Sequence, residues 1–315
     1  MAIGIDPKVD FAFKKLLGSR DHPEITIHFL NAVLSGDPVV KSVEVLNPFN
    51  EKEFADDKLS ILDVKATDDQ GRLLDIEMQT SLPGELRNRL IYYASLQYVD
   101  QLRQGARYAT LMPSIGISVL DGVLFPDVPD LHLDFRLRSH SPRLTLSDSL
   151  QIHLFELPKY VVPSDNQEII EPLDQWAFFF RQASTLTIEE LSSRLPHPVF
   201  TEAAKLLEMI SQTPDIRAIY QARLKLQRDE LSRLEAAEAR GEARGEARGE
   251  ARGEARGEAR GEARGEARGI LRGKIQMLQS VLGEPESTIE ELAKLGTEDL
   301  EAMLGSLQTR LRSRE

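Results

Sequence analysis

Apolar and polar positions alternate with two different periods along this chain. In "DPKVDFAFKKLLG", Val9, Phe13, Leu16 and Leu17 recur at helical spacing. Asp6 and Pro7 provide a start and Gly18 a stop, so the stretch predicts a helix. "HPEITIHFLNAVLSGD" predicts a second, closing at Gly36. "SVEVLNP" reads as a strand. The pattern then switches to period two. In "SILDVKATDDQGRLLDIEMQ", two apolar runs flank the turn-forming "TDDQG", which predicts a hairpin. "PGELRNRLIYYASLQYVDQLRQG" returns to helical spacing through Leu86, Leu90, Tyr93, Leu96 and Leu102, with Gly105 as terminator. "RYATLMP", "SIGISVLD" and "SLQIHLFELPK" read as strands. Strands on both sides of a long helix predict an α/β fold with a mixed sheet.

Further along, "LDQWAFFFR" makes an apolar helical face in which Trp176 and Phe180 are neighbours one turn apart, as core residues are. "HPVFTEAAKLLEMISQ" predicts another amphipathic helix. From Glu238 to Gly269 the motif "EARG" repeats eight times without interruption. In a helix, period four sets Glu against Glu and Arg against Arg at i,i+4, and no Glu–Arg pair falls at i,i+3 or i,i+4. Each glycine costs roughly 1 kcal/mol against alanine. The segment therefore predicts a marginal helix, enforced by its flanks and acting as a spacer. Equal numbers of glutamates and arginines argue against a nucleic-acid arm. The remaining tail predicts short helices, with "TEDLE" supplying a cap and acids at one helix start. A module that small gains from self-association. The expected divisions are 1–185, a helical extension at 186–237, the repeat at 238–269 and a helical module at 270–315.

Composition narrows the classes. Hydrophobic residues form 41% of the 315, enough for a core. No apolar run reaches membrane-spanning length, and the N-terminus lacks a basic start followed by an apolar block, so neither a span nor a secretory signal is expected. The absence of cysteine rules out disulfides and thiolate metal sites and suits a reducing cytoplasm. The net charge of −12 argues against broad adhesion to nucleic acid. Basic residues nevertheless cluster at Lys8, Lys14 and Lys15, and again at Arg87, Arg89, Arg103 and Arg107, and a local basic stripe still binds phosphate.

The candidate chemistry lies in the hairpin. Side chains alternate across a strand, so Asp75, Glu77 and Gln79 share one face while Leu74, Ile76 and Met78 share the other. With Gln70 at the turn's centre, Asp63 stands opposite Glu77 and Lys65 opposite Asp75. A slip of one residue would send Asp63 to the wrong face. Opposed carboxylates repel unless one is protonated or a cation lies between them. Hard oxygen donors favour Mg²⁺ or Mn²⁺, and Mg²⁺ is often held by one or two carboxylates with water and substrate phosphate. Lys65, or the residue at position 79, would orient the attacking water. Arg89, Tyr93, Gln97 and Gln101, four apart on the following helix, form a polar ridge fit for a phosphate backbone. Alternation alone also describes an ordinary half-exposed hairpin, and the ridge an ordinary solvated face.

"DFAFKKLLG", "ILDVKATDDQGRLLDIEMQ" and "RLIYYASLQYVDQLRQGARYATLMPSIGISVLD" together resemble the recombination-promoting nuclease, transposase-like branch of the PD-(D/E)XK nuclease superfamily over roughly residues 5–180. The resemblance implies a restriction-endonuclease-like sheet flanked by helices and Mg²⁺-dependent hydrolysis of DNA phosphodiesters. It implies Asp63 and Glu77 as metal-binding acids, Asp10 as an additional helical acid, and Gln79 at the place where most of the superfamily has lysine. An amide carries no positive charge and is no general base, so Gln79 is expected to position water or phosphate. Arg89, Gln97 and Lys65 are the expected DNA contacts. The tail resembles the small C-terminal module of such relatives; its expected role is self-association as a homo-oligomer or partner binding, and a simple three-helix cap is the other reading. Two other readings stand beside the nuclease: a DNA-binding protein with a decayed site, and an assembly protein working through its repeat and tail.

Overall fold

The computed structural model describes residues 1–35, 38–47, 64–140, 144–164 and 167–313. These form two compact units, Met1–Ser232 and Arg233–Glu315.

The first unit opens with α1 (Asp10–Leu17) and α2 (Pro23–Val33). Gly18 caps α1, and α2 is capped at Leu34, before the expected Gly36, which lies outside the described residues. Then follow β1 (Val43–Val45), β2 (Val64–Asp68), β3 (Leu73–Gln79), α3 (Leu86–Val99), β4 (Ser114–Leu120), β5 (His132–Arg138) and β6 (Thr145–Glu156). The described strands make one mixed sheet of order β1-β2-β3-β4-β6-β5. β3–β4 and β4–β6 are parallel pairs, and the rest are antiparallel. The helix α3 is the crossover that a parallel β3–β4 pair requires.

The β2–β3 register follows from the turn. Asp68 Oδ1 accepts from the backbone N–H of Gln70 (3.0 Å) and Arg72 (2.9 Å), and Asp68 Oδ2 takes the Arg72 Nε–H at 2.5 Å. Gly71 has φ +77°, and a Cβ there would stand 3.0 Å from Met112 Cε, so glycine is favoured. The result pairs Lys65 with Asp75 and Val64 with Ile76, the arrangement a turn centred on Gln70 demands.

One sheet face carries the main core. Val64, Ala66, Leu74, Ile76, Ile115, Ile117 and Val119 are buried there with α1, α2, α4 (Pro172–Gln182) and α6 (Pro198–Gln212). Aromatic rings fill the helical layer. Trp176 lies 4.9 Å from Phe200, 5.3 Å from Phe29 and 5.6 Å from Phe180 between centroids. Trp176 Nε1 donates to His28 Nδ1 at 3.0 Å, so the buried indole N–H has its partner. The short α5 (Ile188–Arg194) begins with a capping box between Thr187 and Glu190. Its Leu191, like Phe200 and Tyr220 further on, belongs to the same core.

The opposite face is covered by α3 over β4 and β6. Leu86 and Leu90 pack with Leu120 and Leu154, and Ala94 Cβ lies 3.9 Å from where a Cβ on Gly116 would be.

Three sequence expectations are corrected. The stretch "RYATLMP" is no strand: Tyr108–Thr110 form a 3₁₀ turn. Gln101 exchanges both amide bonds with the backbone of Met112, fixing the chain there before it enters β4. The same contact explains why α3 ends at Val99 rather than running on to Gly105. β5, unread in the sequence, forms the edge of the sheet.

α7 (Pro214–Leu282) is helical throughout the repeat, whose side chains are exposed but for Arg268. In the second unit, Ile275 and Leu282 of α7 pack with Leu292 of α8 (Ile289–Ala293) and with Leu300 and Leu307 of α9 (Thr297–Arg312). Thr288 and Glu291 form a capping box at α8, and Gln279 bonds Ser287 through both its amide atoms. No helix among the described residues is long and apolar enough to cross a membrane.

Candidate functional site

The side chains of Asp75, Glu77 and Gln79 project from β3 on the face that α3 covers over β4, and all three are half-buried. Their neighbours Leu74 and Ile76 point into the core. Burial of the even positions thus forces the acidic set onto the other side.

Glu77 is held at both oxygens. Ser118 Oγ donates to Oε1 at 2.7 Å and Gln79 Nε2 donates to Oε2 at 2.7 Å. Ser118 is Glu77's partner in the parallel β3–β4 register and is only 1% exposed. A hydroxyl buried on a central strand thus holds one oxygen of the carboxylate and the Gln79 amide the other. Sequence reasoning missed Ser118. Its signal was in "SIGISVL": Ser114, Gly116 and Ser118 interrupt an otherwise apolar run at every second position, marking a sheet face that meets polar neighbours.

The C-terminal end of β3 is fixed by a second polar group. Asp121 N–H donates to the Gln79 carbonyl at 2.9 Å, and Lys8 Nζ lies 2.7 Å from Asp121 Oδ2. Lys8 N–H also donates to Asp6 Oδ1 at 2.9 Å, joining the chain before α1 to this strand end.

The remaining expected residues are placed as follows. Asp63 lies outside the described residues. Lys65 stands opposite Asp75, with its backbone N–H donating to Asn47 Oδ1 at 2.7 Å. Asp10 begins α1, where its Oδ1 accepts the Phe11 N–H at 2.5 Å. Burial raises its carboxyl above the usual range, and that hydrogen bond and the Arg223 cation pull it back. No hydrogen bond or ion pair among the described residues links Asp10 to Glu77. Arg89 is exposed on α3. Arg87 Nη2 donates to the Leu124 carbonyl at 3.0 Å and its guanidinium lies 4.5 Å from the Phe125 ring centroid, toward the β6 side. Arg89 lies about 200° round the helix from Arg87, and Tyr93 follows Arg89 one turn on. Gln97 Oε1 accepts from Ser114 Oγ at 2.8 Å, and Gln101 is bound to Met112.

Among the described residues, no three His, Cys, Asp or Glu side chains converge as a metal-binding group. The donor set on β3 is nevertheless all oxygen and fits a hard cation, which needs few protein carboxylates when water and phosphate complete its shell. A neutral amide and a hydroxyl orient Glu77 without cancelling its charge.

No curated protein and no solved structure matches the chain. A family model does, and its span includes α1, the whole sheet and all of the helices up to the start of the repeat. With residues 7–237 matched, the chain belongs to the PD-(D/E)XK nuclease family transposases.

Proposed function

We propose that this protein is a divalent-metal-dependent DNA endonuclease that hydrolyses phosphodiester bonds. The observation that carries the reading is the double clamp on Glu77, a carboxylate fixed at both oxygens on a half-buried sheet face beside α3. Glu77 and Asp63 hold the cation, Mg²⁺ or Mn²⁺. When bound, such an ion polarises a phosphoryl oxygen and makes water easier to deprotonate. Gln79, whose amide cannot serve as a base, keeps Glu77 in place and orients the water or the scissile phosphate. Arg89 and Lys65 neutralise phosphate charge, and the neutral amide of Gln97 on α3 donates a hydrogen bond to the phosphate. Asp10 is an additional acid of the site. The local cations and the family both support DNA as substrate.

The C-terminal unit is proposed to pair with a second copy. The supporting feature is an apolar stripe of Ile270, Met277 and Val281, exposed on α7. Met277→Glu is expected to lower the mass measured by light scattering.

The deciding experiment is plasmid cleavage with Mg²⁺, Mn²⁺, Ca²⁺ or EDTA, comparing wild type with Glu77→Ala and Asp63→Ala. Cleavage that needs Mg²⁺ or Mn²⁺ and drops at least about 100-fold in both variants is expected. Equal cutting by wild type and variants would overturn the assignment.

A further inference from the structure

The outer surface of α3 does not look like that of a surface helix. Such a helix normally turns charged or polar residues outward. Here Tyr92 is 61% exposed, Tyr93 47% and Val99 64%, with Leu96 and Ile91 also exposed. The Tyr92 and Tyr93 rings meet edge to face with centroids 5.5 Å apart. Leu86–Val99 contains Arg87 and Arg89 and no carboxylate, in a chain whose net charge is −12. Arg103 and Arg107 follow, both exposed, with Asp100 as the sole acid between Leu86 and Thr110.

Cationic groups beside exposed aromatic rings match one kind of polyanion. Uninterrupted duplex DNA offers phosphates and groove edges, and its base faces are covered by their neighbours in the stack. Contacts to it call for cations and hydrogen-bond donors, not ring faces. An unpaired strand offers the same phosphates and, in addition, free base faces. Stacking on an aromatic side chain contributes roughly 1–3 kcal/mol per base.

We infer that α3 is a stacking platform for unpaired bases, and that the substrate of the Glu77 site is single-stranded or locally unpaired DNA, such as a flap, fork or bubble. This rests on the nuclease reading of that site. α3 covers the sheet face from which Glu77 projects, so a strand stacked along this helix, about 21 Å long, runs beside the Glu77 site. A second copy of the chain fits this surface poorly. Two-fold pairing would set α3 against itself, bringing arginines together with no carboxylate on the helix to meet them.

The test uses the full-length chain and a fluorescein-labelled oligonucleotide, single-stranded or annealed as a blunt duplex. Binding is measured by anisotropy in EDTA, and cleavage separately with Mn²⁺. The single strand is expected to bind at least about 10-fold more tightly. The Tyr92→Ala/Tyr93→Ala double variant is expected to lose about 10- to 100-fold of that affinity, while the Phe/Phe variant stays within about 3-fold of wild type. Binding to the duplex should change little in either. Equal affinity for both DNAs, or equal loss in the Ala and Phe variants, would overturn the platform. So would a lower mass by light scattering in the Ala variant with unchanged single-strand affinity, which would make this face a self-association surface. Duplex cleavage indifferent to both tyrosines refutes the platform and leaves the nuclease standing. Tyrosine-dependent single-strand binding without cleavage of any DNA refutes the nuclease and leaves the platform.

Discussion

Removing the Ser118 hydroxyl separates the orientation of Glu77 from its presence. Ser118→Ala deletes one oxygen from a buried position and introduces no new atom, so the sheet has nothing to repack around. What is lost is the 2.7 Å bond to Glu77 Oε1. A hydrogen bond to a charged group contributes about 1.5–3 kcal/mol. Glu77 is only half-buried, however, and water can take part of the vacated place, which leaves a net cost of about 1 kcal/mol. In a unit of this size that lowers Tm by roughly 2–4 °C. The functional effect should be larger. Partners that orient a metal ligand typically affect affinity by about 10- to 100-fold. The Mg²⁺ concentration for half-maximal cleavage should therefore rise at least about 10-fold, with the rate at saturating Mg²⁺ nearer to wild type. Mn²⁺ binding by calorimetry, which needs no turnover, should weaken to the same degree. Ser118→Thr keeps the hydroxyl and should restore most of the affinity. An unchanged metal dependence in Ser118→Ala would mean either that Glu77 is no ligand or that the hydroxyl does not set its orientation.

Other outcomes follow from the core, the titrating groups and the repeat. Trp176→Ala, which empties the centre of the aromatic layer, should cost about 3–5 kcal/mol in urea unfolding, and a loss below about 1 would contradict the packing described. His28 and His153 are each lowered to about 4, chiefly by burial, so both are neutral in the fold. The unfolded chain takes up protons on them below about pH 6.5, so stability should fall as pH drops from 6.5 toward 4. Asp6 and Asp10, raised by burial, oppose this trend. The share of His153 is therefore read as the difference in Tm–pH slope between wild type and His153→Gln, which should be the flatter, and equal slopes would refute its contribution. In the repeat, nothing lies within 4 Å of a Cβ built on Gly249, Gly253 or Gly257. Converting all three to Ala in a peptide of residues 238–269 should raise helicity by circular dichroism, each by roughly 1 kcal/mol of helix propensity, and a decrease would refute the helical reading.

The sequence carried the hairpin well because two local signals agreed there. A period-two pattern fixed the faces, and the turn chemistry of Asp68 and Gly71 fixed the register. Lys65 therefore meets Asp75, as counting from Gln70 requires. Trp176 and Phe180 were legible as core for a similar reason, since their spacing is helical and their size leaves them no exposed role. The misread stretches are those where a distant partner decides. "RYATLMP" has strand-like composition, yet Gln101 holds Met112 from eleven residues away and the chain turns instead. β5 escaped notice because its alternation mixes charges with apolar residues. His132 Nε2 lies 3.0 Å from His153 Nδ1 and Arg136 pairs with Asp148, both on β6, while Asp134 pairs with Arg136 within β5. Ser118 was hidden for the same reason: a serine in an apolar strand declares its purpose only when β3 is known to lie beside it in parallel register.

In the proposed nuclease, the clamp also accounts for a glutamine at position 79. A lysine ammonium as close to Glu77 as the Gln79 amide would be a counter-ion as well as a donor. At an effective dielectric of about 20, two opposite charges 4 Å apart attract by about 4 kcal/mol. Such a pair competes directly with a metal for the same carboxylate. The amide supplies the geometric half of that interaction without the charge. Glu77 is held from two sides by neutral donors. The Lys8 ammonium is paired with Asp121, whose own backbone anchors the end of β3. Glutamine therefore shifts the work of position 79 from charge to orientation. In the proposed nuclease, the positive charge that the phosphate needs would then come from the cation and from residues outside the strand, of which Arg89 on α3 has the exposure to provide it.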